Sequence, residues 1–181
     1  MTVWFTADTH FGHGGALGLF RRPFESVAAM DEAMIVRWNE RVMPTDDVWH
    51  LGDFAVLTAK TKREGRAGEL LDRLHGMKRL IIGNNDDDTV RALPGWRDVA
   101  DYAEIAVDDT PLVLCHYAFR SWKNQHKGWW NLHGHSHGAL EPLTRQRDVG
   151  VDVWSFAPIT LEKLKRSKRK ERPDRRALTR N

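Results

Sequence analysis

Residues Thr2–His13 read T-V-W-F-T-A-D-T-H-F-G-H, a β-branched and aromatic run that breaks into a polar turn. The run Thr2–Ala7 favours a buried strand, while Asp8, Thr9, His10 and Gly12 favour a turn. The same grammar recurs twice. Asp47–Leu51 (D-V-W-H-L) runs into Gly52-Asp53-Phe54, and Arg79–Ile82 (R-L-I-I) runs into Gly83-Asn84-Asn85-Asp86. Helices are expected in between. Ser26 caps one through about Val42, with Val27, Met30, Met34, Ile35, Trp38 and Val42 at helical spacing and Pro44 and Asp46 ending it. A charged amphipathic stretch, Ala59–Leu74, gives the second and closes at Gly76. Strand and helix in alternation imply a parallel sheet with right-handed crossovers. Sites on such sheets collect at the carboxyl ends of the strands, which is where the polar turns fall.

The second half changes character. Val99–Val107 and Pro111–Cys115 read as strands around Asp108-Asp109-Thr110, and the latter leads into His116-Tyr117. Trp129–Leu132 and Val149–Trp154 read as strands flanking N-L-H-G-H-S-H-G at Asn131–Gly138. In an extended backbone residues two apart share a side, so His135 and His137 are expected to converge on one site. A neutral imidazole is the commonest side-chain metal ligand. Helix resumes near Thr160, and order is expected to fade after Ser167.

The chain of 181 residues, 41% hydrophobic and 29% charged, suits one α/β domain with a sizeable core. No apolar run is long enough to span a bilayer, and no basic, cleavable leader opens the sequence. Cys115 is the single cysteine, which excludes an internal disulfide and suits a reducing compartment. The expectation is a cytoplasmic protein with no membrane association. Net charge is +3, yet Lys163–Asn181 holds ten Lys or Arg against two acids, leaving the rest at −5. The domain is therefore placed at 1–162 and a basic, partly helical or disordered tail at 163–181. That tail offers contact with nucleic acid or an anionic surface, although it lacks the interleaved aromatics of a single-strand binding surface.

Lined up, the turns supply Asp8 and His10, then Asp53, Asn84, His116, His135 and His137. Seven such groups exceed one tetrahedral metal and suit two ions sharing a carboxylate, as in-line phosphoryl displacement uses them. D-x-H (Asp8, His10), G-D (Gly52, Asp53), G-N-x-D (Gly83–Asp86), a lone His116 and G-H-x-H (Gly134–His137), in this order over about Thr2–Pro158, resemble the calcineurin-like metallophosphoesterases. The resemblance is greatest to small phage and bacterial members with D-x-H-F-G-H near the start and V-G-V-D near the end.

The resemblance implies a four-layer α/β/β/α sandwich with the site at one edge. It implies Asp8, His10 and His137 on a first ion, Asn84, His116 and His135 on a second, and Asp53 bridging both. Two divalent transition-metal ions are expected, manganese foremost, with iron, zinc or nickel as alternatives because a mixed N/O donor set does not choose among them. The implied reaction is hydrolysis of a phosphate ester by a metal-bridging hydroxide, with Asp53, Asn84, Asn85 and Asp86 in the catalytic loops. Where the family has histidine in its third motif, this chain has Asn85, which cannot titrate. A general acid contributes about 10²–10⁴-fold, so its loss favours diesters, of nucleotide or cyclic nucleotide type, over monoesters. His13 is the nearest spare imidazole to serve instead. Tyr117 and Arg120 follow His116 closely enough to touch a small phosphate-ester substrate. Two rival readings are a nuclease or end-processing phosphatase anchored by the basic tail, and a non-catalytic scaffold on the same fold. Oligomeric state is not legible. His50, His75 and His126 read as structural or solvated, as do Asp148 and Asp152; His133, which the motif does not call on, is expected to lie just behind the ligands, and most of the eight tryptophans read as core.

Overall fold

The computed structural model describes residues 1–60 and 65–167. The distal part of the basic tail, 168–181, lies outside them, as does 61–64 within the expected second helix. The first sheet has the order β4-β3-β2-β1-β9. Its strands are β1 (Val3–Thr6), β2 (Asp47–His50), β3 (Met77–Ile81), β4 (Trp96–Ala100) and β9 (Ile159–Thr160). Strands β1 to β4 are parallel neighbours in sequence order, and β9 closes the edge antiparallel to β1. A chain that steps steadily one way across a sheet by right-handed crossovers must put all its helices on one face. That face carries α1 (Gly14–Leu19), α2 (Val27–Asn39), α3 (Arg66–Asp72) and α4 (Asp88–Arg91). Met30, Met34, Ile35 and Trp38 of α2 and Leu70 and Leu71 of α3 pack there with Trp4, Val48 and Leu80 of the sheet. The Ser26 hydroxyl caps α2 by accepting from Ala29 N at 3.1 Å, as expected.

The second sheet, order β5-β6-β7-β8, comprises β5 (Tyr102–Val107), β6 (Thr110–Cys115), β7 (Trp130–His133) and β8 (Gln146–Asp148). Leu112, Leu114 and Leu132 meet Phe5, Ala7 and Ile81 of the first sheet in a second core. Leu161 and Leu164 of α5 (Leu161–Arg166) join it, so this helix straddles the boundary expected at residue 162. The α/β/β layers of the sandwich are thus present, and the outermost layer is thin. It is the 117–129 loop, with a single 3₁₀ turn at Gln125–Lys127. There Phe119 N donates to Asn131 Oδ1, and Gln146 Nε2 donates to Phe119 O. Trp122 is buried with its Nε1 donating to Trp129 O.

Four elements differ from the sequence reading. The expected strand Val99–Val107 is cut at Asp101 into β4 and β5, one in each sheet. The expected strand at Val149–Trp154 lies three residues earlier, as β8. Asp148 ends it by accepting from Gly150 N at 2.7 Å, and Val151–Phe156 then folds into turns. Gly14–Leu19 is helical although three of its six residues are glycine, a composition that argues against helix. Of the expected helix Ala59–Leu74, the described residues are helical at 59–60 and again in α3 from Arg66, after a turn at Gly65.

Candidate metal centre

The turns after β1, β2, β3, β6 and β7 knit to one another across the sheet edge. Asp8 N donates to Gly52 O at 2.9 Å, His10 N to Asp53 O at 3.0 Å, and Gly134 N to His116 O at 3.0 Å. Asp86, buried, accepts from Asp53 N, Phe54 N and Gly83 N, each at 2.8 Å. It holds the two motif loops together through both of its oxygens. Its part in the site is therefore positioning. Gly52 shows why the packing needs glycine: at φ 92°, a Cβ there would sit 2.5 Å from His116 Nδ1 and 2.6 Å from the Gly83 backbone.

Two groups of donor atoms result, each within 4.8 Å among its members: Asp8, His10 and His137 in one, Asp53, His116 and His135 in the other. Asp53 lies between them, its Oδ2 3.5 Å from His10 Nε2 and its Oδ1 3.6 Å from His116 Nε2. His135 and His137 do not converge as an extended strand would have them. Both are left-handed, with φ of 64° and 45°, and they enter different groups.

The donor chemistry fits cations. His10 Nε2 is buried with no hydrogen-bond partner, and burial, with Arg22 and His137 beyond it, lowers the His10 pKa to about 2. Its imidazole is therefore neutral. His116 Nδ1 lies 2.7 Å from the Leu51 carbonyl, which only accepts, so the ring proton is on Nδ1 and Nε2 carries a lone pair. That lone pair faces Asn84 Oδ1 at 3.1 Å. Two acceptors in opposition are repulsive until a cation sits with them. Burial, and then Asp148, push the Asp8 carboxyl well above the carboxylate range, the state of a group that lacks its counter-charge. Divalent ions would relieve all three.

Behind these groups lie residues that hold them. His137 Nδ1 donates to Asp152 Oδ2 at 2.7 Å, leaving its Nε2 as the donor atom. Arg22, buried, donates to both Asp152 oxygens at 2.9 and 2.8 Å, and to the carbonyls of Asp8 and Thr9 at 2.6 and 2.7 Å. Asp152 is thus more than the turn-former its sequence context indicated. Burial alone would raise its pKa, but hydrogen bonds from His137 and Arg22 outweigh that and hold it low. Arg22 carried no sequence signal, since its partner is 130 residues away. Asp148 does keep a turn role, accepting from Ser136, Gly138 and Gly150.

The other expected residues sort plainly. Asn85 grips the bridging carboxylate at both ends, N to Asp53 Oδ1 at 2.8 Å and Nδ2 to Asp53 Oδ2 at 2.7 Å. His13 Nδ1 lies 3.3 Å from His10 Nδ1, so it buttresses that ring from behind. Tyr117, 46% exposed, has its ring 4.9 Å from His135 and 5.0 Å from His116. Arg120 is exposed, and no contact ties it to either group. His50 is buried against Thr9 Oγ1 at 3.0 Å, His75 Nδ1 lies 3.0 Å from Val42 O, and His133 Nδ1 lies 2.9 Å from Gly134 O. All three sit outside the two donor groups.

No family model matches the chain. An uncharacterized protein of Methanocaldococcus jannaschii is 28% identical over 167 residues, which cover 88% of this chain and 87% of that protein. A protein of unknown function from Aquifex aeolicus superposes with a TM-score of 0.69 at 20% identity, covering 90% of this chain and 97% of that one. The Gene 66 protein of Mycobacterium phage D29 is 30% identical over 187 aligned positions, covering 84% of this chain and 88% of that protein. At this identity and coverage the chain belongs to the same family as the Gene 66 protein of Mycobacterium phage D29.

Proposed function

We propose that the protein is a dinuclear, metal-dependent phosphoesterase that prefers phosphodiesters. The observation that carries this reading is the placement of Asp53, with one oxygen turned to His10 of the first group and the other to His116 of the second. Asp8, His10 and His137 would hold one ion, Asn84, His116 and His135 the other, and Asp53 both. Two divalent ions so held lower the pKa of a water and offset charge on phosphoryl oxygens. Manganese is the first candidate; iron, zinc and nickel suit the same donors.

The protein's own part is preorganisation. Asp152 fixes the His137 ring through Nδ1, and the Leu51 carbonyl does the same for His116, the usual way an outer partner sets which nitrogen ligates. Asn85 holds the Asp53 carboxylate with its amide. The side chain that stands where the calcineurin-like metallophosphoesterases it resembles have a histidine is therefore engaged with the bridge and has no proton to give. A leaving group that needs protonation is served poorly, which favours diesters and good leaving groups over alkyl monoesters.

Metal-free protein titrated with manganese should hydrolyse bis(p-nitrophenyl) phosphate, hydrolyse p-nitrophenyl phosphate weakly, and lose both activities in Asp53→Asn. Asn85→His should raise the monoester rate relative to the diester rate. Strong monoester turnover by the unaltered protein, or an unchanged ratio in Asn85→His, removes the diester preference. No turnover with manganese, iron, zinc or nickel removes the enzyme reading and leaves a binding scaffold.

A further inference from the structure

Beside the first donor group lies an open cleft of about 320 Å³, lined by Leu19, Phe20, Arg21, Ser136, His137 and Ala139. That volume is in the range of small-molecule subsites. His137 belongs to the cleft and to the first donor group alike, so the cleft opens directly beside that group. The lining is unusual for a surface. Leu19 is 72% exposed at the end of α1. Behind it the Phe20 ring stacks on the His137 ring, centroids 3.5 Å apart and planes within 12°. Arg21 stands at the rim in a left-handed conformation, φ 55°, which a non-glycine residue holds at a cost. Its guanidinium is exposed and has no carboxylate partner among the described residues.

An exposed leucine, an aromatic edge and an exposed guanidinium around one cavity make a surface that a flat ring fills well. Apolar contact comes from Leu19 and Phe20. The planar guanidinium of Arg21 can lie on a ring face or donate to ring carbonyls. Accordingly, we propose that this cleft is a subsite for an aromatic group esterified to the phosphate, of the size of a nucleobase or substituted phenyl ring, and that Leu19 and Arg21 set this preference. The inference rests on the phosphoesterase reading for its chemistry, but not for its binding.

The test pairs activity with binding. Zinc- or manganese-loaded protein is assayed on the p-nitrophenyl diesters of thymidine monophosphate and of methyl phosphate, which share a leaving group and differ in the second ester group. Binding of thymidine monophosphate and of inorganic phosphate is measured by calorimetry. An aromatic contact of this kind is worth about three- to tenfold. The thymidyl ester should therefore be preferred in kcat/KM, and thymidine monophosphate should bind more tightly than phosphate, each by about that factor. Leu19→Ser and Arg21→Gly should each shrink both ratios towards one. Glycine suits the backbone at residue 21, and a retained melting temperature shows that lost selectivity is not lost folding. Equal binding of the nucleotide and phosphate by the unaltered protein, or ratios untouched in both variants, overturns the subsite. Absent turnover with a preserved nucleotide preference overturns the enzyme reading and leaves the subsite standing.

Discussion

Asp152 ought to be the residue whose loss most cleanly separates metal binding from folding. It accepts from His137 Nδ1 at 2.7 Å and from Arg22 at 2.8 and 2.9 Å, and the Arg22 and Asp152 side chains are 0% and 9% exposed. Asp152→Asn keeps the volume but offers a single acceptor oxygen to three N–H groups, Arg22 Nε and Nη2 and His137 Nδ1. If that oxygen serves Arg22, the amide nitrogen is turned on the His137 Nδ1 proton, and the ring loses the partner that sets its tautomer. Losing such an outer partner weakens metal binding about 10–100-fold. Breaking a buried ion pair costs about 3–5 kcal/mol, and the low end applies because Arg22 keeps its bonds to the Asp8 and Thr9 carbonyls. Calorimetric titration of manganese into metal-free protein reads the first effect, and urea denaturation in chelator reads the second. The sign with pH is fixed as well. A carboxyl held low by folding stabilises above its unfolded value, about 3.9, and that stability fades as pH falls through the folded value. In Asp152→Asn this contribution disappears, so the two stability curves should converge in acid. Manganese affinity within twofold of the unaltered protein would refute the claim that Asp152 positions His137.

Three further outcomes follow from buried groups and one glycine. Asp31, buried beneath Gly12 N at 3.1 Å, has its pKa raised to about 6, mainly by burial, so keeping it ionised at neutral pH costs stability. Asp31→Asn should stabilise the protein by roughly 1–3 kcal/mol at pH 8 and by nearly nothing at pH 4, as read by denaturation at the two values. His50 has its pKa lowered to about 3, chiefly by burial, so stability should fall as pH drops below about 6.5, by about 1.4 kcal/mol per unit until pH 3 is approached. His50→Gln should flatten that slope in acid melts, and an unchanged slope would assign it to other groups. Gly52→Ala forces a Cβ to within 2.5 Å of His116 Nδ1 at a positive φ. It should cost about 2 kcal/mol or more and shift the histidine ring signals in NMR spectra, whereas Gly65→Ala, at φ 72° with open space around it, should move only the stability.

The parts of the site that were legible in sequence are those carried by residue type at short spacing. Asp8 with His10, Asp53 after Gly52, Asn84 after Gly83, and the alternating histidines each sit directly behind a strand-forming run, and a strand's end tells where its turn must lie. Arg22 and Asp152 were hidden for the converse reason. Their pairing spans 130 residues, and nothing in either neighbourhood distinguishes a surface arginine from one that threads beneath two ligand carbonyls. The break at Asp101 was hidden because the chain there passes between sheets without any glycine or proline. The β5–β6 turn was readable: Asp108 and Asp109, at φ 45° and 58°, take the two left-handed positions of a tight hairpin, where aspartate is favoured.

The backbone at the site explains why the same few residue types serve twice. Asp8, His10, Asp53, His135 and His137 all have φ between 45° and 64°. Such positions cost a non-glycine residue energy, and they persist only where the surroundings fix them. Here Gly52 O, Asp53 O and the Asp86 carboxylate take the freed backbone N–H groups of Asp8, His10, Asp53 and Phe54. Aspartate and histidine are several-fold enriched in left-handed turns, so residues able to donate to a metal are also among those that pay least for the tight turns behind each strand. A valine at any of the five would lose both the donor atom and the turn. Substitution by asparagine at Asp8 or Asp53 would keep the turn and remove the charge, at Asp53 together with one of the two hydrogen bonds from Asn85. The isosteric amide variants, not alanine, therefore separate charge from the turn, most cleanly at Asp8.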